Sequence, residues 1–373
     1  MFKFSKTNDG KFEPVGRDKF EISHSNSLED PDWDEFLLST PLGEFQQTSM
    51  WACVKSLDGW KPLRIVINSD GEIKGGFQLL WRQTRLGRIA YVSRGPVFGK
   101  EDPSLIGLVI KLLKQTVKKN SIKALIVQAP AASLTITSYF KNNGFPPNYL
   151  VDLITATAVV DLSNGLEKLE GGLSSKTRNK IRQARRKGVT VREGKEGDIG
   201  TFFRLMAATC HRQGLKPNPS SERVLREVWT QFRPKKCCRL TVAEYQNTAV
   251  SAILCIPFRN NVNVWKIGSL TEYLSFHAID LLYYDALCWA HSRGYKMCDF
   301  GSLDRNLAEI ILSGQALPTN NISGRDIFHL RFGVKPMLLP EPFIYIENIF
   351  LRSIYRFLSG KIIRKYLPGK RMQ

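Results

Sequence analysis

Two stretches of the chain carry the same succession of apolar patterns. In the first, LRIVI leads through the turn NSDGE into IKGGFQLLWR, then RIAYVSRG, LIGLVIKLLKQTVKK and KALIVQA. In the second, CRLTVAEY turns at QNT into AVSAILCIPF, then NVNVWKIGS, AIDLLYYDALCWAHSRG and KMCDFGS. Short runs rich in Val, Ile and Leu, bounded by Asn, Asp and Gly, predict strands; longer runs with apolar residues three and four apart predict helices. Each half therefore reads as β-hairpin, strand, helix, strand. Each also opens on a helix-like segment, FQQTSMWACVKSL in the first and GTFFRLMAATCHRQ in the second. The common unit is α, ββ, β, α, β, an α/β architecture with mixed sheets, used twice.

That order is the one expected for acyltransferase domains of the GNAT type, here in duplicate. Such a sheet splays open between its central strands and admits an acyl donor there, at a discontinuity of the kind where α/β sheets bind ligands. The strand signal TATAVVDLS separates the halves. The expected organisation is a polar segment over 1–26, a first GNAT-like domain over 27–160, a second over 161–342 and a basic amphipathic tail over 343–373. Residues 1–26 and 315–324 are polar or punctuated by Gly and Pro and read as loop.

Composition adds a charge and excludes some chemistry. The chain has 373 residues, and Lys plus Arg outnumber Asp plus Glu by 54 to 34, a formal charge of +20. That surplus attracts polyanions or anionic headgroups. Seven scattered cysteines without a CxxC pair indicate neither a disulfide framework nor a zinc site. No apolar run has the length of a signal peptide core or a membrane span, so a cytoplasmic protein is expected. In the tail, Ile349, Ile354, Phe357 and Leu358 can share a helical face while Arg352, Arg356, Lys361, Arg364 and Lys365 supply positive charge. Two readings are open: a helix packed on its own domain, or a peripheral contact with the inner face of the membrane.

The charge is densest in SSKTRNKIRQARRKGVTV, where residues 176–187 hold seven basic side chains and no acidic one. Leu173, Thr177, Ile181 and Ala184 form a narrow packing stripe, Ser174 or Ser175 can cap the start, and Gly188 is a stop before the strand signal VTV. Lys176, Arg178, Lys180, Arg182, Arg185, Arg186 and Lys187 surround that stripe without acids to pair with. Phosphates are the expected anions, since Arg offers them a planar fork and Lys a point charge. A merely solvated charged face is the alternative.

These residues resemble the Fem family of aminoacyltransferases (the FemA, FemB and FemX type), which build the interpeptide bridge of bacterial peptidoglycan. SKTRNKIRQARRKGVTV is similar to that family's basic segment, and FFRLMAATCHRQG to its following helix. FQQTSMWACVKSLDGW and YVSRGPV resemble its first-domain signatures; YKMCDFGS and IFHLRFGVKP resemble its closing ones. The resemblance spans about residues 33–339. It implies transfer of an amino acid from aminoacyl-tRNA to an amine of a cell-wall precursor, nucleotide-linked or lipid-linked, with no cofactor. By the same resemblance, Lys55 matches a lysine that binds precursor phosphate, and Arg212, with Thr209 beside it, a second-domain precursor contact; the alternatives are a surface lysine ending a helix and a helix C-terminal cation stabilised by the dipole. The basic helix is then expected near tRNA or precursor phosphates. One departure stands out: where the family carries a charge-stabilising lysine, FHLRFG has His329, with Arg331 two residues on. Either protonated His329 or Arg331 is expected to take the electrostatic role, or the chain uses a different donor; for His329 a structural hydrogen-bonding role is the alternative.

An aminoacyl ester is already activated, so no covalent intermediate is needed, and neither a GxSxG elbow nor a paired Cys and His signature is present. The acceptor amine must be neutral: a lysine-like amine is only about 0.04% unprotonated at pH 7, so nearby cations must favour the free base. Asp299 in CDFGS can be a general base or a structural loop carboxylate. Two rival functions remain open. A GNAT enzyme using acyl-CoA would hold the pyrophosphate on amides at a helix start, and the nearest sequence match, RRKGVT, sits at a helix end. A non-enzymatic nucleic-acid-binding protein would use the basic helix alone.

Overall fold

A computed structural model describes residues 20–133, 135–149, 151–318 and 322–366. The chain forms two compact units, residues 1–155 with 339–373, and residues 156–338. The first contains β1 (Glu21–Ser25), α1 (Pro31–Ser39), α2 (Ser49–Ser56), β2 (Lys61–Ser69), β3 (Glu72–Thr84), β4 (Gly87–Ser93), β5 (Val97–Phe98), α3 (Pro103–Lys119), β6 (Ile122–Gln128) and α4 (Ile136–Asn142). The second runs through β7 (Ala156–Asp161), α5 (Leu166–Gly172), α6 (Ser175–Arg186), β8 (Thr190–Glu193), α7 (Ile199–Arg212), α8 (Glu222–Phe232), β9 (Arg239–Tyr245), β10 (Thr248–Phe258) and β11 (Asn261–Ser269). It continues with α9 (Ala278–Ser292), β12 (Met297–Ser302), α10 (Arg305–Leu312), α11 (Gly324–Leu330) and β13 (Lys335–Leu338). The chain then returns to the first unit as β14 (Phe343–Tyr345) and α12 (Ile349–Tyr366).

The repeated order expected from the apolar pattern is present in both units. Each hairpin turns on two consecutive residues of positive φ, Asp70 and Gly71 between β2 and β3, Gln246 and Asn247 between β9 and β10. Such pairs match the twist of the flanking strands, and Gly and Asn adopt them with little strain. The first sheet has the order β1-β2-β3-β4-β6-β14, with β5 on β3, and the second β13-β7-β12-β11-β10-β9-β8.

Three expectations are corrected. Residues 21–25, read as loop, form an edge strand antiparallel to β2, because Glu21 to Ser25 find partners from Asn68 to Arg64; residues 1–19 lie outside the described residues, as do 319–321 of the second expected loop. The unit boundary falls at Ala156, before rather than after the strand AVVD, because β7 pairs with β12 and β13 of the second sheet. The tail does not stand apart, since Phe343, Ile344 and Tyr345 pair with Val127, Ile126 and Leu125 of β6.

The two sheets differ where an acyl donor was expected. In the first, parallel β4 and β6 pair continuously from Arg88 with Ile122 to Ser93 with Gln128. In the second, parallel β11 and β12 pair only from Asn261 with Met297 to Asn263 with Asp299, leaving the later half of β11 without a ladder partner on that side. The expected opening is thus confined to the second unit.

Candidate active site

The second unit builds its cationic region from α6, α9 and α11. Thr177, Ile181 and Ala184 are buried along α6 as their spacing predicts, and pack in one core with Leu281, Leu282 and Ala286 of α9. The Ser174 hydroxyl accepts the Thr177 amide at 3.1 Å and caps the helix; Gly188, at φ +83, ends it. The start of α6 is fastened to the end of α11, because the Arg331 carbonyl accepts from the Ser174 amide at 2.9 Å and the Thr177 hydroxyl at 3.1 Å. Gly333, just beyond, has φ +71, and a Cβ there would meet the Gly172 carbonyl oxygen at 2.6 Å. Only glycine allows α5 so close to the RFG turn.

From that anchor the Arg331 guanidinium reaches Asp280 on α9, with Nη2 3.1 Å from Oδ1. The Asp280 side chain is only 3% exposed. Burial pushes its carboxyl above the usual carboxylate range, against the opposing pull of Arg331, then Lys180 and His277. Burial likewise lowers the Lys180 ammonium and the His277 imidazole; the Lys180 charge adds to the second shift. Arg331 Nε is buried without a hydrogen-bond partner. Arg331, Lys180 and His277 thus gather around a single carboxylate at the first turn of α9, and cations exceed anions there.

Thr209 and Arg212, near the end of α7, meet the start of the segment that joins β11 to α9. The Thr209 hydroxyl accepts the Ser269 amide at 2.8 Å, and Arg212 Nη1 donates to the Ser269 carbonyl and the Thr271 hydroxyl, each at 3.2 Å. This approach depends on Gly268, where a Cβ would lie 2.3 Å from the Met206 amide nitrogen. The other end of the segment is held by Lys187, whose Nζ donates to the Ser275 carbonyl at 2.7 Å. The connection 270–277 is therefore pinned at both ends by residues singled out for their charge, and it leaves β11 where the ladder to β12 has ended.

The basic side chains of α6 divide by task. Arg178 donates to the Glu170 and Leu173 carbonyls at 3.1 and 2.6 Å, closing the end of α5. Arg185 lies over the Tyr284 ring at 5.4 Å, Lys180 faces Asp280, and Lys187 holds Ser275. Lys176, Arg182 and Arg186 remain exposed. Lys55 belongs to the first unit, at the last turn of α2, and pairs with Asp58 at 2.7 Å. Asp299 accepts the Gly301 amide at 2.7 Å and the Thr157 hydroxyl, the structural alternative for that carboxylate.

His329 is the position where structure and expectation diverge. The ring is 3% exposed, set against Phe300 and Phe328, and Nδ1 has no hydrogen-bond partner. Burial, reinforced by Arg325 and opposed by Asp326, pushes the imidazole from 6.5 down to about 4. At neutral pH it carries no charge to offer an oxyanion, so the protonated-His329 half of the expectation is corrected, and Arg331 is the cation of this motif. A histidine whose folded pKa is depressed contributes stability present above about pH 6.5 and lost as pH falls toward about 4, a loss of about 3 kcal/mol. Urea unfolding at pH 7 and pH 4.5 is expected to show this slope, and His329→Leu to flatten it. An unchanged slope in the variant would assign the acid sensitivity elsewhere.

Asp280 and His277 escaped the sequence reading because AIDLLYYDALCWAHS registers as an apolar helix in which one acid near the start carries no periodic signal. An Asp three residues into such a run is the cue that was present, since helix starts favour acids.

Comparisons with known proteins bear on this geometry. The FemAB family model matches residues 28–141, and an acetyltransferase (GNAT) domain model matches residues 175–306. Lipid II:glycine glycyltransferase of Staphylococcus aureus is 28% identical over 193 residues, which cover 48% of this chain and 46% of that protein. The chain thus spans about half the length of the relatives it matches. Among solved structures, FemX superposes with a TM-score of 0.75 at 18% identity, over 90% of this chain and 100% of that one. A tandem GNAT protein from the clavulanic acid biosynthesis pathway has a TM-score of 0.52 at 11% identity, over 88% and 99%. The repeated sheets and the matches to both halves agree that the chain is built as two GNAT-type folds in tandem, with a first half similar to the FemAB family.

Proposed function

We propose that this protein is an acyltransferase that moves an amino acid from aminoacyl-tRNA onto an amine of a peptidoglycan precursor. The observation that carries the reading is the first turn of α9. In an acyl-CoA enzyme of this fold, free amides after the third strand would receive the pyrophosphate. Here that turn holds the buried Asp280 carboxylate, which pairs with Arg331, while the Asp280 amide donates to the His277 carbonyl at 3.1 Å. The turn favours side-chain cations over an amide cradle, in keeping with a donor whose phosphates lie spread along a nucleic acid.

Each residue has a role on this reading. Arg331 would stabilise the negative charge that develops on the carbonyl oxygen of the ester as the amine attacks, before the tRNA hydroxyl leaves, which in a water-poor site contributes about 3 to 4 kcal/mol. Lys180 and Arg331 together disfavour a protonated amine nearby and so raise the share of reactive free base. In the second unit Arg212, held by Ser269 and Thr271, is a candidate precursor contact; taken by itself, Lys55 of the first unit would have to exchange Asp58 for a phosphate. Lys176, Arg182 and Arg186 offer tRNA phosphates an exposed basic edge of α6. Placing amine and ester in contact contributes more than any single group, about 7 to 11 kcal/mol. The ester is already activated, so no metal or prosthetic group is required, and the donor places the reaction in the cytoplasm.

The test is incubation with a charged tRNA pool and with nucleotide-linked and lipid-linked precursors in separate arms, followed by mass measurement of the acceptor. A gain of one aminoacyl residue that depends on tRNA charging is expected. Transfer from acetyl-CoA, with none from charged tRNA, would replace the reading with the acyl-CoA alternative.

A further inference from the structure

We propose that the face of α12 bearing Ile349, Phe350, Ile354 and Leu358 docks on an anionic lipid bilayer surface. The proposal uses only the first unit and stands apart from the choice of donor and acceptor.

The helix is fixed to its unit along one side. The Tyr355 hydroxyl donates to the Pro147 carbonyl at 2.6 Å and accepts the Tyr149 amide at 3.1 Å, and its ring packs with Ile344 and Ile346. Arg352 joins it there, donating to the Ile346 and Glu347 carbonyls at 2.8 and 3.1 Å. At about 100° per residue, Ile349, Phe350, Ile354 and Leu358 occupy the other half of the circumference. They are 76%, 71%, 39% and 46% exposed, and Phe357 in the same arc is 62% exposed. Of the two readings of this segment, packing holds for Tyr355 and Arg352, while the apolar stripe read from the sequence faces outward. Contiguous large apolar side chains at a surface mark a place where something binds.

Charge selects the occupant. Residues 348–373 contain seven Lys or Arg and no Asp or Glu. A second copy of the chain would bring two such segments together and set like charges against each other. A nucleic acid would meet the charge but leave the phenylalanine and isoleucine rings and chains in water. An anionic bilayer supplies both an apolar boundary and negative headgroups, the combination that recruits basic amphipathic helices. Among the described residues no helix is long and apolar enough to cross a membrane, so the helix would lie at the surface.

The experiment is cosedimentation of the full chain with vesicles of phosphatidylcholine, with and without phosphatidylglycerol, at low and high salt. Binding to the phosphatidylglycerol vesicles, weakened by salt and about tenfold lower for the double substitution Phe350→Ser with Leu358→Ser, is expected. Both side chains are exposed, so the variant should fold, and an unchanged circular dichroism melt verifies it. Equal binding by the variant would place any membrane contact on charge elsewhere and overturn the proposal. Absence of binding to either vesicle would overturn it too, as would concentration-dependent self-association that the same substitution abolishes.

Discussion

Replacing Arg331 with methionine is expected to lower the rate of the proposed aminoacyl transfer by about 10²- to 10³-fold, the size of effect seen when one group aimed at a developing oxyanion is removed. The same change also strands Asp280, whose side chain is 3% exposed. Breaking a buried ion pair from one side costs about 3 to 5 kcal/mol, because the remaining carboxylate has to be protonated or hydrated. The two consequences are separable. Adding Asp280→Asn to Arg331→Met removes the stranded charge and should recover most of the lost stability, read as the urea midpoint, while the single-turnover rate stays low. If rate and midpoint recover together, Arg331 acts only by holding α9 against α11, and the charge role passes elsewhere, to Lys180 first.

The second large effect belongs to the first unit and concerns stability. Arg64, in β2, has no exposed side-chain surface, and its Nη1 lies 2.7 Å from Asp30 Oδ2. Its Nε and Nη2 donate to Gln78 Oε1 at 3.3 and 2.7 Å. Gln78 in turn donates its side-chain amide to the Thr48 carbonyl, and Gln47 bridges the Gln78 backbone and the Ser93 carbonyl. One guanidinium thus joins α1's cap, the segment before α2 and strands β2, β3 and β4. Arg64→Met keeps the volume but leaves the Gln78 oxygen and Asp30 without their donor. The expected loss is about 3 to 5 kcal/mol, enough to unfold this unit at moderate temperature. Arg64→Lys, which restores the charge but not the fork, should lose less. Chemical denaturation measures both; a loss under about 1 kcal/mol for the methionine variant would mean that water replaces the donor without strain.

Neither of these two pairs shows in the sequence as a pair. Arg64 interrupts LRIVI and reads as the outward residue of an alternating strand, yet it lies wholly inside because Asp30 and Gln78 come to meet it from 34 and 14 residues away. Arg331 was singled out by its place in FHLRFG, but its partner lies 51 residues earlier in an apparently apolar helix. By contrast, α6 was legible from end to end: cap, buried stripe and stop are local features set by Ser174, the spacing of Thr177, Ile181 and Ala184, and Gly188.

By itself the sequence determined what depends on a few neighbouring residues: the repeated order of strands and helices, the two hairpin turns, the ends of α6, and the excess of positive charge. Only the tertiary structure decided that the β11–β12 ladder stops after Asn263 and Asp299 whereas β4 and β6 stay paired, that β14 returns to the first sheet, that His329 is dry and neutral, and that α12 turns its apolar side outward. The reason is one of range. Periodicity, capping and turn chemistry act over one or two turns of chain, whereas burial and the pairing of charges depend on which distant faces meet.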